Sequence, residues 1–275
     1  MLIVDDASTQ PVDAVVAGYD DARLRFVQNP SNLGLVGNWN RCIELAQGRY
    51  ITIFHQDDVM HPDNLALKQA VLDDNPSVGF VYSNIERINE LGEVFSGHWI
   101  TQPADDVTLM GCEIFRMVAE TGNPISCPSV MVRSTCYRQL GYFDNRLPFT
   151  ADIEMWLRIA SGSDVGYIHR PLIRQRVHTN QETNRFSGTG RDYQDVLHAL
   201  SIAFGRAISP DCASHQRQAF RTLARQSRAM ARWKLRQGKV RVSFRYLGVM
   251  RAVGNWQARA VNSEDTFHHQ LLSAL

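Results

Sequence analysis

Short β-branched apolar runs alternate with segments of helical period through the first third of the chain. This alternation limits the possible folds more than any other feature of the sequence. Leu2–Val4, Leu24–Val27, Tyr50–Phe54 and Val78–Ser83 read as strands, and Pro11–Gly18, Leu35–Gln47 and Pro62–Asp74 as the helices between them. In the second helix Val36, Trp39, Ile43 and Ala46 share one face and Gly48 ends the pattern, while Pro62 suits the first turn of the third. Such alternation implies parallel βαβ units and a doubly wound sheet, whose ligands bind beyond the carboxyl ends of the strands. Asp5-Asp6 and Asp57-Asp58 each follow a strand end, so the two acidic pairs are expected to share a crevice. Adjacent carboxylates repel, so each pair is either a solvated turn or part of a site completed by a cation.

The middle of the chain is less regular. Arg87–Thr108 is polar and loop-like, Leu109–Glu120 is helical in pattern, and Cys127–Val132 fits a strand. Ser134 is placed to cap a short helix, Thr135–Leu140, that ends at Gly141. Asp152–Ser161 reads as a helix with Trp156 in the core, and Val165–Ile168 and Leu172–Val177 as a pair of strands. From Asp192 onward the pattern is helical. From Leu200 onward thirteen basic residues face three acidic ones. Two units are therefore expected, an α/β domain over residues 1–185 and a basic helical region over 192–275. The basic helices suit either an anionic membrane surface or a solvated cap. Nucleic acid is not expected as a partner, because no recognised reading motif accompanies the charge.

Composition narrows the class. With 275 residues, 44% hydrophobic, the chain can bury a sizeable core, and a net charge of +1 selects no partner by itself. The five cysteines are widely spaced with no Cys-x-x-Cys pair, which argues against a disulfide framework or thiolate zinc site. No apolar run reaches bilayer length and the N-terminus lacks a signal-peptide pattern, so a cytoplasmic protein is expected, peripheral at the inner membrane face if the basic helices bind there. Met1 runs directly into Leu2-Ile3-Val4, so this strand is expected at an edge or beside something absent.

Five segments in order carry a more specific signal: "IVDDAST", "NPSNLGLVGNWNRCIELAQGRYITIFHQDD", "ISCPSVMVR", "LGYFD" and "DIEMWLRIA". Their order resembles the family 2 glycosyltransferases, nucleotide-sugar-dependent enzymes of the GT-A fold, over about residues 2–180. The resemblance implies a mixed α/β sheet flanked by helices. It implies a donor site in which Asp5 and Asp6 contact base and ribose, with Asn32 and Arg41 nearby. Asp57 is implied as the ligand of a divalent cation, Mg²⁺ or Mn²⁺, with Asp58 on the donor side, orienting Asp57 or the nucleotide. His55 stands where the family often has aspartate, and is placed to contact ribose or diphosphate or simply to pack. Asp152 matches the family's catalytic base, with Ala151 where Glu is usual. A helix N-terminus there favours the ionised form, and an inert N-cap is the alternative. Glu154 points elsewhere, toward helix stabilisation or the acceptor. Arg176 and His178 match an Arg-x-His stretch whose Arg suits phosphate and whose imidazole suits phosphate or metal, though a lone His is often structural. Arg41 meets phosphate or lies on a solvated face.

The implied reaction is inverting transfer from a nucleotide-diphosphate sugar, UDP-linked in the commonest case, to a hydroxyl of a glycan or lipid-linked acceptor. No Gln/Arg-x-x-Arg-Trp motif accompanies it, so single-sugar addition is expected. Family members begin with one further strand ending in a Pro-Thr-Tyr-Asn-like turn, which this sequence does not show. A rival reading is therefore a catalytically inactive binding protein of the same ancestry. A nucleotidyltransferase would need a Gly-rich basic loop after its first strand, and none is present.

Overall fold

The computed structural model describes residues 1–96, 103–206 and 208–260. A two-stranded parallel sheet comes first: β1 (Leu2–Asp5), helix α1 (Val12–Ala17) and β2 (Arg25–Gln28), followed by α2 (Gly34–Leu45). The main sheet is built from β3 (Tyr50–Ile51), β4 (Val59–Met60), β5 (Val78–Ile88), β6 (Val94–Ser96), β7 (Val107–Leu109), β8 (Val130–Arg133) and β9 (Asp164–Arg176). Helices α3 (Asn64–Asp74), α4 (Gly111–Thr121), α5 (Ser134–Leu140) and α6 (Ala151–Ala160) lie between these strands. After β9 come α7 (Glu182–Phe186), α8 (Arg191–Phe204), α9 (Pro210–Ser214), α10 (Gln216–Arg236) and α11 (Val240–Ala260).

The main sheet runs β3-β8-β5-β9-β4, with β6 on β5 and β7 on β9. Only β5 and β9 pair in parallel within it; the other pairings are antiparallel, so the sheet is mixed rather than doubly wound throughout. Among the described residues β1 pairs with β2 alone and β3 with β8 alone, so the two sheets are not joined. β5 is the central strand: Val78 to Ile85 are buried on both faces, consistent with its unbroken apolar run.

Several expectations are corrected. The stretch Arg87–Thr108 contains the end of β5, strand β6 and the start of β7, while its residues 97–102 lie outside the described residues. Tyr50–Phe54 holds only two paired residues. The expected pair Val165–Ile168 and Leu172–Val177 is one strand, β9, because β5 accommodates Pro171 opposite Asn84 through local register shifts. Ser134 is the first residue of α5, not its cap, and Arg133 holds the cap position.

The larger core lies on one face of the sheet. It contains Trp39 from α2, Phe115 from α4 and Trp156 from α6, together with Phe204, Phe220 and Trp256 from the C-terminal helices. The helical region thus packs into the same core as the sheet. Gly111 marks the tightest approach: a Cβ there would sit 1.7 Å from the Ala160 carbonyl oxygen, so α4 reaches the end of α6 only without a side chain. A smaller cluster around Leu72, Val81 and Leu172 seats α3 on the opposite face. No described helix is long and apolar enough to cross a membrane.

Candidate active site

β5 and β9 end together, Ile88 opposite Arg176, and the loop after β3 is tied to this edge through β4, whose Val59 pairs with Arg174. That places Asp57, Asp58, Arg176 and His178 at the carboxyl end of the central parallel pair. A cleft of about 2050 Å³ opens there. Met1–Val4 and the stretch from Tyr50 to Asp58 line it, as do Asp6, Asn123, Asp152 and His178. Asp57, Asp58 and Asp6 therefore line one crevice, whereas Asp5, expected there with them, does not.

His55, Asp57 and Asp58 offer ligand atoms all within 4.8 Å of one another, which among the described residues is the one group able to hold a metal ion. Asp58 Oδ1 accepts the Arg176 backbone N–H at 2.9 Å. Its Oδ2 is buried without a hydrogen-bond partner, with His55 Nδ1 3.9 Å away. Burial pushes the Asp58 carboxyl up to about 6. His55 stacks on Trp39, with ring centroids 5.5 Å apart and planes 11° apart, and burial lowers its pKa, which keeps the imidazole neutral and free to ligate. An orphaned carboxylate oxygen beside a second carboxylate and a neutral imidazole fits a hard divalent cation. His178 lies outside this trio and bonds Asp57 Oδ2 through Nε2 at 3.0 Å.

Arg176 sits differently from a free phosphate ligand. Its Nε donates to the Asp57 carbonyl at 2.9 Å, and its Nη1 to the carbonyls of Asn89 and Glu90, each at 3.0 Å. It braces the acidic loop against the β5–β6 turn. Asp5 is turned away from the cleft, its Oδ2 accepting from Ser8 N–H at 3.1 Å and the Gln28 amide at 2.9 Å. Asp6 faces the cleft but receives the backbone N–H groups of Leu33 and Gly34 at the start of α2, and Asn32 donates to the Asp6 carbonyl. Arg41 pairs with Glu44 at 2.7 Å on the outer face of α2 and does not line the cleft.

Asp152 is the second residue of α6, and Thr150 rather than Asp152 takes the cap position. The Asn123 amide donates to Asp152 Oδ2 at 3.0 Å, and the Ile153 N–H to Oδ1 at 2.9 Å. Burial outweighs these bonds and the helix terminus, raising the carboxyl to about 6. The helix terminus by itself would lower this carboxyl, and burial reverses that direction. Glu154 is fully buried and ion-paired to Arg158 at 2.5 Å and Arg206 at 3.2 Å, so it binds α6 to the end of α8 and is closed to an acceptor.

Three residues escaped the sequence reading. Asn123 follows the Gly122 turn in a Gly-Asn-Pro cluster, which marks a loop but not its partner. Asp195 of α8 accepts from Phe149 N–H, Thr150 N–H and Thr150 Oγ1 at 2.9, 2.8 and 3.0 Å, capping α6 from another helix, and nothing local in sequence signals it. Lys68 is fully buried in α3 and donates to the Ser129 carbonyl at 2.5 Å, steadying the turn at Cys127–Ser129 beside the cleft. Burial lowers its pKa to about 7.

A mixed sheet flanked by helices is the architecture of the GT-A fold. Residues 1–138 match the sequence profile of "Glycosyl transferase family 2", and the chain belongs to that family. Among similar proteins, an uncharacterised glycosyltransferase of Methanocaldococcus jannaschii is 24% identical over 180 residues, 64% of this chain and 59% of that protein. One of Rickettsia prowazekii is 22% identical over 198 residues, 71% of this chain and 60% of that protein. The chain thus spans about three fifths of the length of these curated relatives. Of solved structures, S. aureus TarS superposes with a TM-score of 0.57 at 16% identity, over 82% of this chain and 37% of that one. Mannosyltransferase PcManGT from Pyrobaculum calidifontis, in complex with GDP-Man and Mn²⁺, superposes with a TM-score of 0.55 at 17% identity, over 99% of this chain and 68% of that one. These likenesses show the GT-A fold.

Proposed function

We propose that this chain transfers a sugar from a nucleotide-diphosphate donor to a hydroxyl of a glycan or lipid-linked acceptor, with inversion at the anomeric carbon. The observation that carries the reading is that Asp152 and the His55–Asp57–Asp58 group line one cleft from different elements. Asp152, with a carboxyl near 6, is ionised at neutral pH yet basic enough to take a proton. It accepts the acceptor hydroxyl's proton as that oxygen attacks the anomeric carbon, and the bond to the diphosphate breaks on the opposite face. Asn123 holds Asp152 in orientation, and the Arg176 brace and His178 hold Asp57. A divalent cation, Mg²⁺ or Mn²⁺, held by Asp57 and Asp58 with His55 beside them would neutralise charge on the departing nucleoside diphosphate.

Asp6 and Asn32, which line the same cleft, stand on the nucleoside side in this reading. UDP is the first nucleotide to test. GDP is a close second, given the GDP-Man bound by the similar mannosyltransferase. The donor site falls within residues 1–185 and the acceptor side is shared with the helical region from 192 onward, since Gln226 and Leu223 of α10 also reach the cleft. The separation of β1 from the main sheet favours a second reading, a non-catalytic binding protein of the same fold.

Calorimetric titration of UDP, GDP and dTDP, with and without Mn²⁺, separates the two. Metal-dependent binding that falls at least tenfold in Asp57→Ala is the expected result. No binding of any of the three nucleotides would leave the non-catalytic reading standing.

A further inference from the structure

Helices α10 and α11 form a hairpin closed by a turn at Gln237–Lys239, where Gly238 adopts a left-handed φ of 72°. The closed end is unusual in two respects. Trp233 and Leu235 in the last turn of α10, and Val240 and Phe244 in the first turns of α11, are 49, 56, 46 and 65% exposed. Around them Arg232, Arg236, Lys239 and Arg241 are all exposed. From Cys212 to Ala260 the chain carries twelve Lys and Arg residues and no acidic one. Both inner faces of the hairpin are already spent: Phe220, Leu223, Val249 and Trp256 are buried in the core, and Tyr246 bonds Asp192 of α8. The exposed apolar groups are therefore additional to those that hold the hairpin in place.

We propose that this hairpin end is the surface by which the protein docks on an anionic lipid bilayer. Aromatic and aliphatic side chains ringed by Lys and Arg match the boundary between acyl chains and anionic headgroups: the apolar groups enter while the cations stay with the phosphates. A second copy of this chain is disfavoured as occupant, because a symmetric contact would bring two all-cationic surfaces together. Nucleic acid would satisfy the cations but leave Leu235, Val240 and Phe244 facing water.

The position of the hairpin links this surface to the cleft. Arg245 donates to the Thr189 carbonyl at 3.1 Å and lies against Gly190, in the loop after α7, and Glu182, Thr183 and Arg185 of α7 line the cleft. Docking at the hairpin end would hold the cleft near the bilayer, where a lipid-linked acceptor is found. That last step rests on the transferase reading; lipid binding does not, and it is measured without nucleotide or metal, so the two can fail separately.

The test is co-flotation of the full chain with vesicles of phosphatidylcholine alone, and with about one third phosphatidylglycerol, in moderate salt. Expected is partitioning at least about tenfold stronger onto the anionic vesicles. A Leu235→Ser/Phe244→Ser variant, at positions 56 and 65% exposed, should leave the thermal midpoint unchanged and lose at least about tenfold in binding. Brominated acyl chains should quench Trp fluorescence in the native chain and markedly less in Trp233→Phe. Equal binding to both vesicles, undiminished binding by the double variant, or no binding to either would overturn the proposal. So would tighter binding to duplex DNA than to anionic vesicles, or self-association that the double variant abolishes without any vesicle partitioning.

Discussion

At Asp152, burial and a helix N-terminus pull in opposite directions, and burial prevails. A base acts when deprotonated, so sugar transfer or slow donor hydrolysis should lose rate as pH falls through about 6 and level off above it. Asp152→Asn should cut turnover by roughly 10²–10⁴. Stability should move the other way. A carboxyl raised in the folded state stabilises the fold at low pH, and that contribution is lost as pH rises through about 6. At pH 7 the neutral amide should therefore be no less stable than the wild type by urea melt, and gain of roughly 1–3 kcal/mol is compatible with the shift. An Asp152→Asn protein that keeps native turnover would remove this residue from the mechanism. The identities of Asp57 and Asp152 as candidates were legible in the order of short motifs. The duties of Asp5, Arg41 and Arg176 were not, because each is settled by hydrogen-bond partners supplied elsewhere: Gln28, Glu44 and the carbonyls of Asp57, Asn89 and Glu90.

Between elements, α6 is held at its N-terminus by a carboxylate from α8. Asp195 accepts three hydrogen bonds there and adds negative charge near Asp152. Asp195→Ala should cost about 1–3 kcal/mol through the donors left unpaired. It should also shift the acidic limb of the rate profile to lower pH, because a like charge is removed. A purely structural role would change the urea midpoint and leave the limb in place, so the pair of measurements separates the two. Elements were read well where their own residues decide them. α2 buries Val36, Trp39 and Ile43 at the anticipated spacing, and β5 is buried as its apolar run requires. They are not legible where a partner decides them. β6 and β7 are three residues each and exist because β5 and β9 offer edges. β9 continues through Pro171 because β5 shifts register opposite it, whereas proline in isolation reads as a break.

For the molecule as a whole, the sheet and the C-terminal helices are not independent, since Phe204 packs on Phe115 at 5.4 Å and Phe220 on Trp256 at 4.5 Å within one core. A chain ending after Gly205 would expose the α4 and α8 faces that α10 and α11 cover. It should lose amide-exchange protection in β5 and α6 by more than about tenfold and bind hydrophobic dye. Retained protection would instead mark residues 1–205 as a self-sufficient unit. The α/β class, the helical and basic character of residues 192–260, and the order of acidic motifs are properties of local pattern, and the sequence alone determines them; residues 261–275 lie outside the described residues. All five cysteines are free, as their spacing also implied. Tertiary structure alone decides which carboxylate faces the cleft, which is spent on a turn, and which is raised by burial. It alone turns the basic helices into a hairpin with an apolar, cationic end. Those outcomes depend on the desolvation and hydrogen bonding imposed by segments dozens of residues away, and no local window of the chain contains that information.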